Sequence, residues 1–196
     1  MAGYFEAAPD GGAAIALDEV EISILRSLAV QFLELIGPGP GGSADDSDPL
    51  AALLAEGPTQ PPSDPALARL FPNAYCDPER ASDAAAEAAS AEFRRYTEND
   101  LRARKREDAL AVVRALDALT PAGDRGAVLK VTGDQAQHWL GALNDLRLTI
   151  GTRLEVDDDP DSDLYRLPDD DPRKPLMMAY MWLGGLQESL IETLLP

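Results

Sequence analysis

The sequence predicts a mostly α single domain: a helical bundle with a small N-terminal β-hairpin and one further short strand at about residues 128–131. Three observations carry that prediction. Apolar residues recur at helical spacing in three long stretches, two of which open on a capping-box pair, Asp18 with Glu21 and Thr132 with Gln135. Residues with strand patterning are confined to short runs. At 196 residues and 45% hydrophobic content, the chain has the size and composition of one domain, residues 1–196, with a real core.

Tyr4 to Ala7 and Ala13 to Leu17 flank Pro9-Asp10-Gly11-Gly12, the pattern of a hairpin whose turn uses glycine to reach positive φ. Leu25, Leu28, Phe32, Leu35 and Ile36 then form a helical stripe that stops at Gly37. The glycine- and proline-rich segment at about 37–48 is expected to be a flexible loop, and it lacks the lysine of a phosphate-binding loop. Asp48-Pro49 and Asp64-Pro65 each open a short helix, because aspartate caps free amides and proline at the first helical position loses no helical bond. An alanine-rich helical region follows, from about Glu79 to Leu119. Phe93 and Tyr96 lie out of phase with Leu101, Val112, Leu116 and Leu119, which predicts a kink or break near Thr97 to Asp100; one helix and two are equally compatible.

Val128 to Val131 reads as a strand, and the helix after it carries Ala136, Trp139, Leu140, Leu143, Leu146 and Ile150 before Gly151. Sliding the first strand-helix unit by 114 residues places Ile15 on Leu129, Asp18 on Thr132, Glu21 on Gln135, Leu25 on Trp139 and Ile36 on Ile150. Either this is the common grammar of a strand-to-helix unit, or the two units are a pseudo-symmetric pair whose strands meet in one sheet. A second flexible loop is expected at about 155–175. The last helix, Leu176 to about Leu195, is apolar around most of its circumference and is expected at the centre of the bundle.

Charge narrows the function classes. Asp and Glu number 35 against 17 Lys and Arg, a formal net of -18. Nine of the seventeen residues from Glu155 to Asp171 are carboxylates, while six basic residues crowd into Arg94 to Arg106. Such a field repels phosphate backbones and anionic membranes, so direct nucleic-acid binding is disfavoured and no membrane partner is expected. The absence of a long apolar run or a leader-like start points to a cytoplasmic protein. A single cysteine, Cys76, cannot form an internal disulfide, and a single histidine, His138, cannot build a multi-histidine zinc site. No cofactor is called for, and no metal site is assigned. The alternating Asp157, Asp159, Asp161 and Asp163 lack the glycine and glutamate that end a calcium-binding loop.

Arg147 is the main candidate site residue, because helical phase places its guanidinium on the apolar stripe, where it needs partners. Tyr180 and Gln187 fall on the stripe of the last helix. A buried network of Arg147, Tyr180 and Gln187 with a carboxylate such as Asp145 or Glu188 follows, serving either as a helix tie or as an anion or small-ligand site. Arg95, Arg102 and Arg106 share one side if the helix is continuous and are the candidate partner contacts, with the acidic loop as a competing lid; the plain alternative is a solvated helix face. Cys76 is either an inert small hydrophobe or a redox thiol. His138 is expected at the surface, and Met177, Met178, Met181 and Trp182 read as core or a partner-helix groove.

The segment from Trp139 to Leu154, with its Leu-Asn-Asp-Leu-Arg-Leu element, resembles an actinobacterial family long catalogued as a domain of unknown function. Trp182 to Leu190, the N-terminal hairpin with Leu17 to Ile36, and Leu70-Phe71-Pro72-Asn73-Ala74-Tyr75 fit the same pattern. The resemblance spans nearly the whole chain. Members carry the label of oxidative-stress transcriptional regulators and are typically encoded beside the Clp protease adaptor, so it implies a cytoplasmic regulatory protein without a catalytic motif. Cys76 has no second cysteine for a dithiol switch. The reading is a non-enzymatic regulator with a protein partner, its oligomeric state open. Its rivals are an enzyme or anion binder built on the arginine network, and a direct DNA-binding regulator.

Overall fold

The computed structural model describes residues 3–9, 11–38, 56–76, 83–120, 126–159 and 162–195. Gly11 adopts φ 83° and donates its amide to the Ala8 carbonyl at 3.1 Å, closing the hairpin between β1 (Glu6–Ala8) and β2 (Gly12–Leu17). β2 also pairs antiparallel with β3 (Ala127–Thr132), giving the order β1-β2-β3. Ala13, Ile15, Leu17, Leu129 and Val131 point into the core while their neighbours face out, the period-two burial of a sheet covered on one face. Ile15 pairs with Leu129, and the pairs Ala13–Val131 and Leu17–Ala127 exchange under the 114-residue shift. The strands of the two units thus share one sheet, in a register with a local two-fold through Ile15–Leu129.

Local capping starts the helices. Asp18 and Glu21 form the capping box of α1 (Glu19–Ile36), and Thr132 and Gln135 that of α4 (Gly133–Leu154). Asp64 accepts from the amides of Ala66 and Leu67 at the start of α2 (Pro65–Leu70), and Asp83 caps α3 (Ala84–Asp117). A 3-10 turn (Asp163–Arg166) leads to α5 (Lys174–Leu194). The expected helix at Asp48-Pro49 and most of the expected 37–48 loop lie outside the described residues.

No break occurs near Thr97 to Asp100: of the two alternatives, one helix is found, α3, continuous over its 34 residues. Its buried side runs through Ser90, Arg94 and Glu98 to Ala109, Val112 and Leu116 at spacings that hold one face. The face changes chemistry, not direction. Phe93 and Tyr96, which suggested a phase change, are exposed; Phe93 meets the Tyr75 ring edge-on at 5.9 Å.

The central helix is α4, not the last helix. α4 packs against α5, α3, α2, α1 and the sheet, and buries Trp139, Ala142, Leu143, Leu146 and Ile150. α5 buries Leu183, Leu186 and Leu190 against it but leaves Met178, Met181, Ile191 and Leu195 on its outer side. The Phe5 amide bonds to Ser189 Oγ at 3.1 Å and its ring meets Trp139 at 5.9 Å, which ties the hairpin to α5 and α4.

Candidate functional site

Two helices place Arg147. It projects from α4 toward α5, where Gln187 and Tyr180 stand seven residues, or about two turns, apart. Its Nη1 donates to Gln187 Oε1 at 2.8 Å, and the guanidinium lies 5.1 Å from the centre of the Tyr180 ring. Arg147 is half-buried rather than enclosed. Its Nε is shielded from solvent with no acceptor, a deficit on the order of 1–3 kcal/mol for a buried donor. On one side of Arg147 opens a cleft of about 860 Å³, whose lining includes Arg69, Tyr165, Glu155, Asp157 and Asp158. On the other side is a cleft of about 640 Å³.

The carboxylates proposed for this network go elsewhere. Asp145 is two residues from Arg147, so it points about 200° away around α4 and faces α3. There it is buried and accepts from Lys105 Nζ at 2.6 Å. Desolvation by burial raises the Asp145 pKa above its ordinary 3.8, although the Lys105 hydrogen bond and charge oppose the rise. Glu188 is exposed beside the smaller cleft.

One turn further along α3, Asp108 Oδ1 meets His138 Nδ1 at 2.7 Å. Its carboxyl lies so close over Gly141 that any Cβ there would collide with it. His138 is therefore half-buried and partnered, not a free surface residue. An aspartate-oriented imidazole is two-thirds of a hydrolytic triad, but the adjoining cleft contains no Ser, Thr or Cys among the described residues. The Lys105, Asp108, His138 and Asp145 group escapes sequence reasoning because its spacing resembles that of ordinary surface pairs. A carboxylate on the buried side of α4 was the available signal.

The basic segment is largely engaged inside the fold. Arg94 is 4% exposed and donates to Glu98, to the Phe71 carbonyl at 3.0 Å and to Asn73 Oδ1 at 2.8 Å. Arg102 donates to Glu98 and to the Ile36 carbonyl at 3.0 Å, with its guanidinium 4.4 Å from the Phe71 ring centre. Arg106 donates to the Leu33 and Gly37 carbonyls. The Ile36 and Gly37 carbonyls at the C-terminal end of α1, beyond its last amide donor, thus take the cations assigned to a partner. Arg95 reaches Tyr96 Oη at 2.5 Å and Glu56 at 3.7 Å. Arg95, Arg102 and Arg106 do share one side of α3, but two of the three bind backbone. Cys76 is half-buried, its Sγ 3.6 Å from Ser90 Oγ.

The acidic segment borders Arg69 and Arg147, rather than lying over α3 as a lid. Leu164 and Leu167 anchor it to the core, Asp171 pairs with Arg173, and Asp169 pairs with Lys174. Met177 is core, whereas Met178 and Met181 line a groove of about 470 Å³ with Leu164, Tyr165 and Leu167. Trp182 is half-buried against the core, and its indole N–H has no acceptor. Among the described residues, no group of three or more His, Cys, Asp or Glu could hold a metal ion, and no helix is long and apolar enough to cross a membrane.

No solved structure shows significant similarity to the chain. Among curated proteins it is similar to the oxidative stress regulator AosR of Mycobacterium tuberculosis strain H37Rv, with 30% identity over 180 residues covering 89% of this chain and 78% of the relative. It is also similar to the putative oxidative stress regulator AosR of Mycobacterium leprae, with 31% identity over 180 residues covering 89% and 79% of the two chains. Residues 1–194 match the family described as Domain of unknown function (DUF2017), and the chain belongs to that family, whose actinobacterial relatives here are named oxidative stress regulators.

Proposed function

We propose that this protein is a non-enzymatic cytoplasmic regulator linked to oxidative stress, and that it acts by binding another protein through the outer face of α5. The observation that carries the reading is that Met178 and Met181 are 63% and 55% exposed on a helix whose other side is core. Methionine side chains are flexible and polarisable, and they suit a surface that must accept an apolar helix from a partner. Glu188, Glu192, Asp169 and Asp170 stand along the same face and its N-terminal approach, so the complementary occupant is an amphipathic helix with basic flanks. The names of the curated relatives support the link to stress regulation. The net charge of -18 and the internal use of Arg94, Arg102 and Arg106 weigh against direct DNA contact.

The test is quantitative affinity capture from native cell extract with wild type, the double variant Met178→Asp/Met181→Asp, and Arg104→Ala as a surface control. A protein retained by wild type and by the control, but lost with the double variant, supports the reading. Equal retention by all three refutes the assigned face.

A further inference from the structure

We propose that the cleft between α2, α4 and the acidic segment is a binding site for a small zwitterion: an amino acid or a short peptide with a free carboxylate and a free ammonium group. The cleft holds opposite charges that do not meet. Arg69 and Arg147 contribute two guanidinium groups, and Glu155, Asp157 and Asp158 contribute three carboxylates. Among the described residues, neither arginine lies within salt-bridge distance of a carboxylate. Elsewhere this fold pairs its buried or half-buried cations readily, as at Arg94, Arg102 and Lys105.

Arg147 is the anomaly that locates the anion subsite. Among the described residues its one hydrogen bond goes to a neutral amide and the Tyr180 ring lies beside it, so its charge meets no carboxylate, unlike that of Arg94. A guanidinium offers five donors in a planar fork that matches a carboxylate, so a ligand carboxylate on its open edge, shared with Arg69, supplies the missing counter-charge. The carboxylates of the same lining supply the cation subsite. Glu155 is the only non-glycine residue at positive φ among the described residues, with φ 55°, in a capping position where glycine is the usual choice. Its carboxylate, with those of Asp157 and Asp158, faces the ammonium end. Tyr165 and Tyr180 provide aromatic walls, and about 860 Å³ accommodates an amino acid or a peptide of a few residues. The proposal stands apart from partner docking on α5, because its readout is ligand binding alone.

The test uses the full chain and named probes: the twenty common amino acids and glycine peptides of two to four residues, each at about 10 mM, followed by calorimetric titration of those that raise the melting midpoint. At least one zwitterion is expected to bind. Its N-acetylated and its C-amidated forms are each expected to bind at least about tenfold more weakly, because each lacks one charged end. Arg69→Gln, Arg147→Gln and Asp158→Asn should each weaken binding by about tenfold. Arg69 is exposed, so Arg69→Gln remains decisive even when Arg147→Gln fails to fold. Binding by free amino acids identifies the monomer as the ligand class; binding only by peptides identifies the oligomer. No binding by any probe, equal binding of the capped forms, or unchanged affinity in Arg69→Gln overturns the proposal.

Discussion

Arg94 and Arg147 each sit on the core-facing side of a long helix, yet their surroundings differ in kind. Arg94 is enclosed by a carboxylate, a carbonyl and an amide oxygen, so its charge fixes the segment around Phe71 and Asn73 onto α3. Arg147 has one neutral acceptor, one aromatic ring and a cleft on either side. A guanidinium held by a carboxylate closes a structure, whereas one that meets only a neutral amide leaves its charge available to something else. The molecule therefore keeps its structural arginine and its candidate ligand-binding arginine in separate regions.

That contrast can be broken by substitution. The largest effect is expected for Glu98→Ala, which leaves Arg94 buried without a carboxylate and should cost about 3–5 kcal/mol in urea unfolding. A loss under about 1 kcal/mol would mean that the Arg94 tie is not structural. Lys105→Met leaves Asp145 buried and unpaired, and should cost about 2–3 kcal/mol near neutral pH.

The pH dependence sharpens this second case. Because folding raises the Asp145 pKa, the stability it contributes is fully present below about 3.8 and falls as pH rises through the folded value. Asp145→Asn should remove that decline in urea midpoints measured from about pH 3 to 7. Asp171 acts with the opposite sign: its partner Arg173 holds it down to about 2, so its contribution is present above 3.8 and lost as pH falls through about 2.

A smaller effect is expected at the other arginine. Arg147→Gln should change stability by about 1 kcal/mol or less, because its partner Gln187 is neutral and remains free to rehydrate. A loss as large as that of Glu98→Ala would erase the distinction between the two sites. Smallest of all is the half-exposed pair Arg26–Asp117, where Arg26→Met should leave the unfolding midpoint unchanged within error.

Much of the fold was legible locally. The two capping boxes, the Asp64-Pro65 helix start and the glycine turn depend on residues within three or four positions of each other, so sequence spacing reports them directly. The stripe of α4 also put Arg147 on the core-facing side of its helix, because helical phase follows from residue number alone. Phase could not show where Asp145 would find its charge partner. Nor could it tell that Ser90, Arg94 and Glu98 form a buried face, since polar residues at four-residue spacing read equally well as a solvated helix.

By itself, the sequence determined the helix starts, the amphipathic stripes, the β segments and the strongly acidic balance, because each arises from short-range chemistry or from a sum over residues. Only the tertiary structure decided that Arg102 and Arg106 cap the end of α1, that α4 rather than α5 is central, and that Arg69, Arg147 and Glu155 line one cleft. Those outcomes join segments tens of residues apart. Which cation meets a carboxylate, a carbonyl or open space depends on how the packed helices share the core, and no local spacing encodes that.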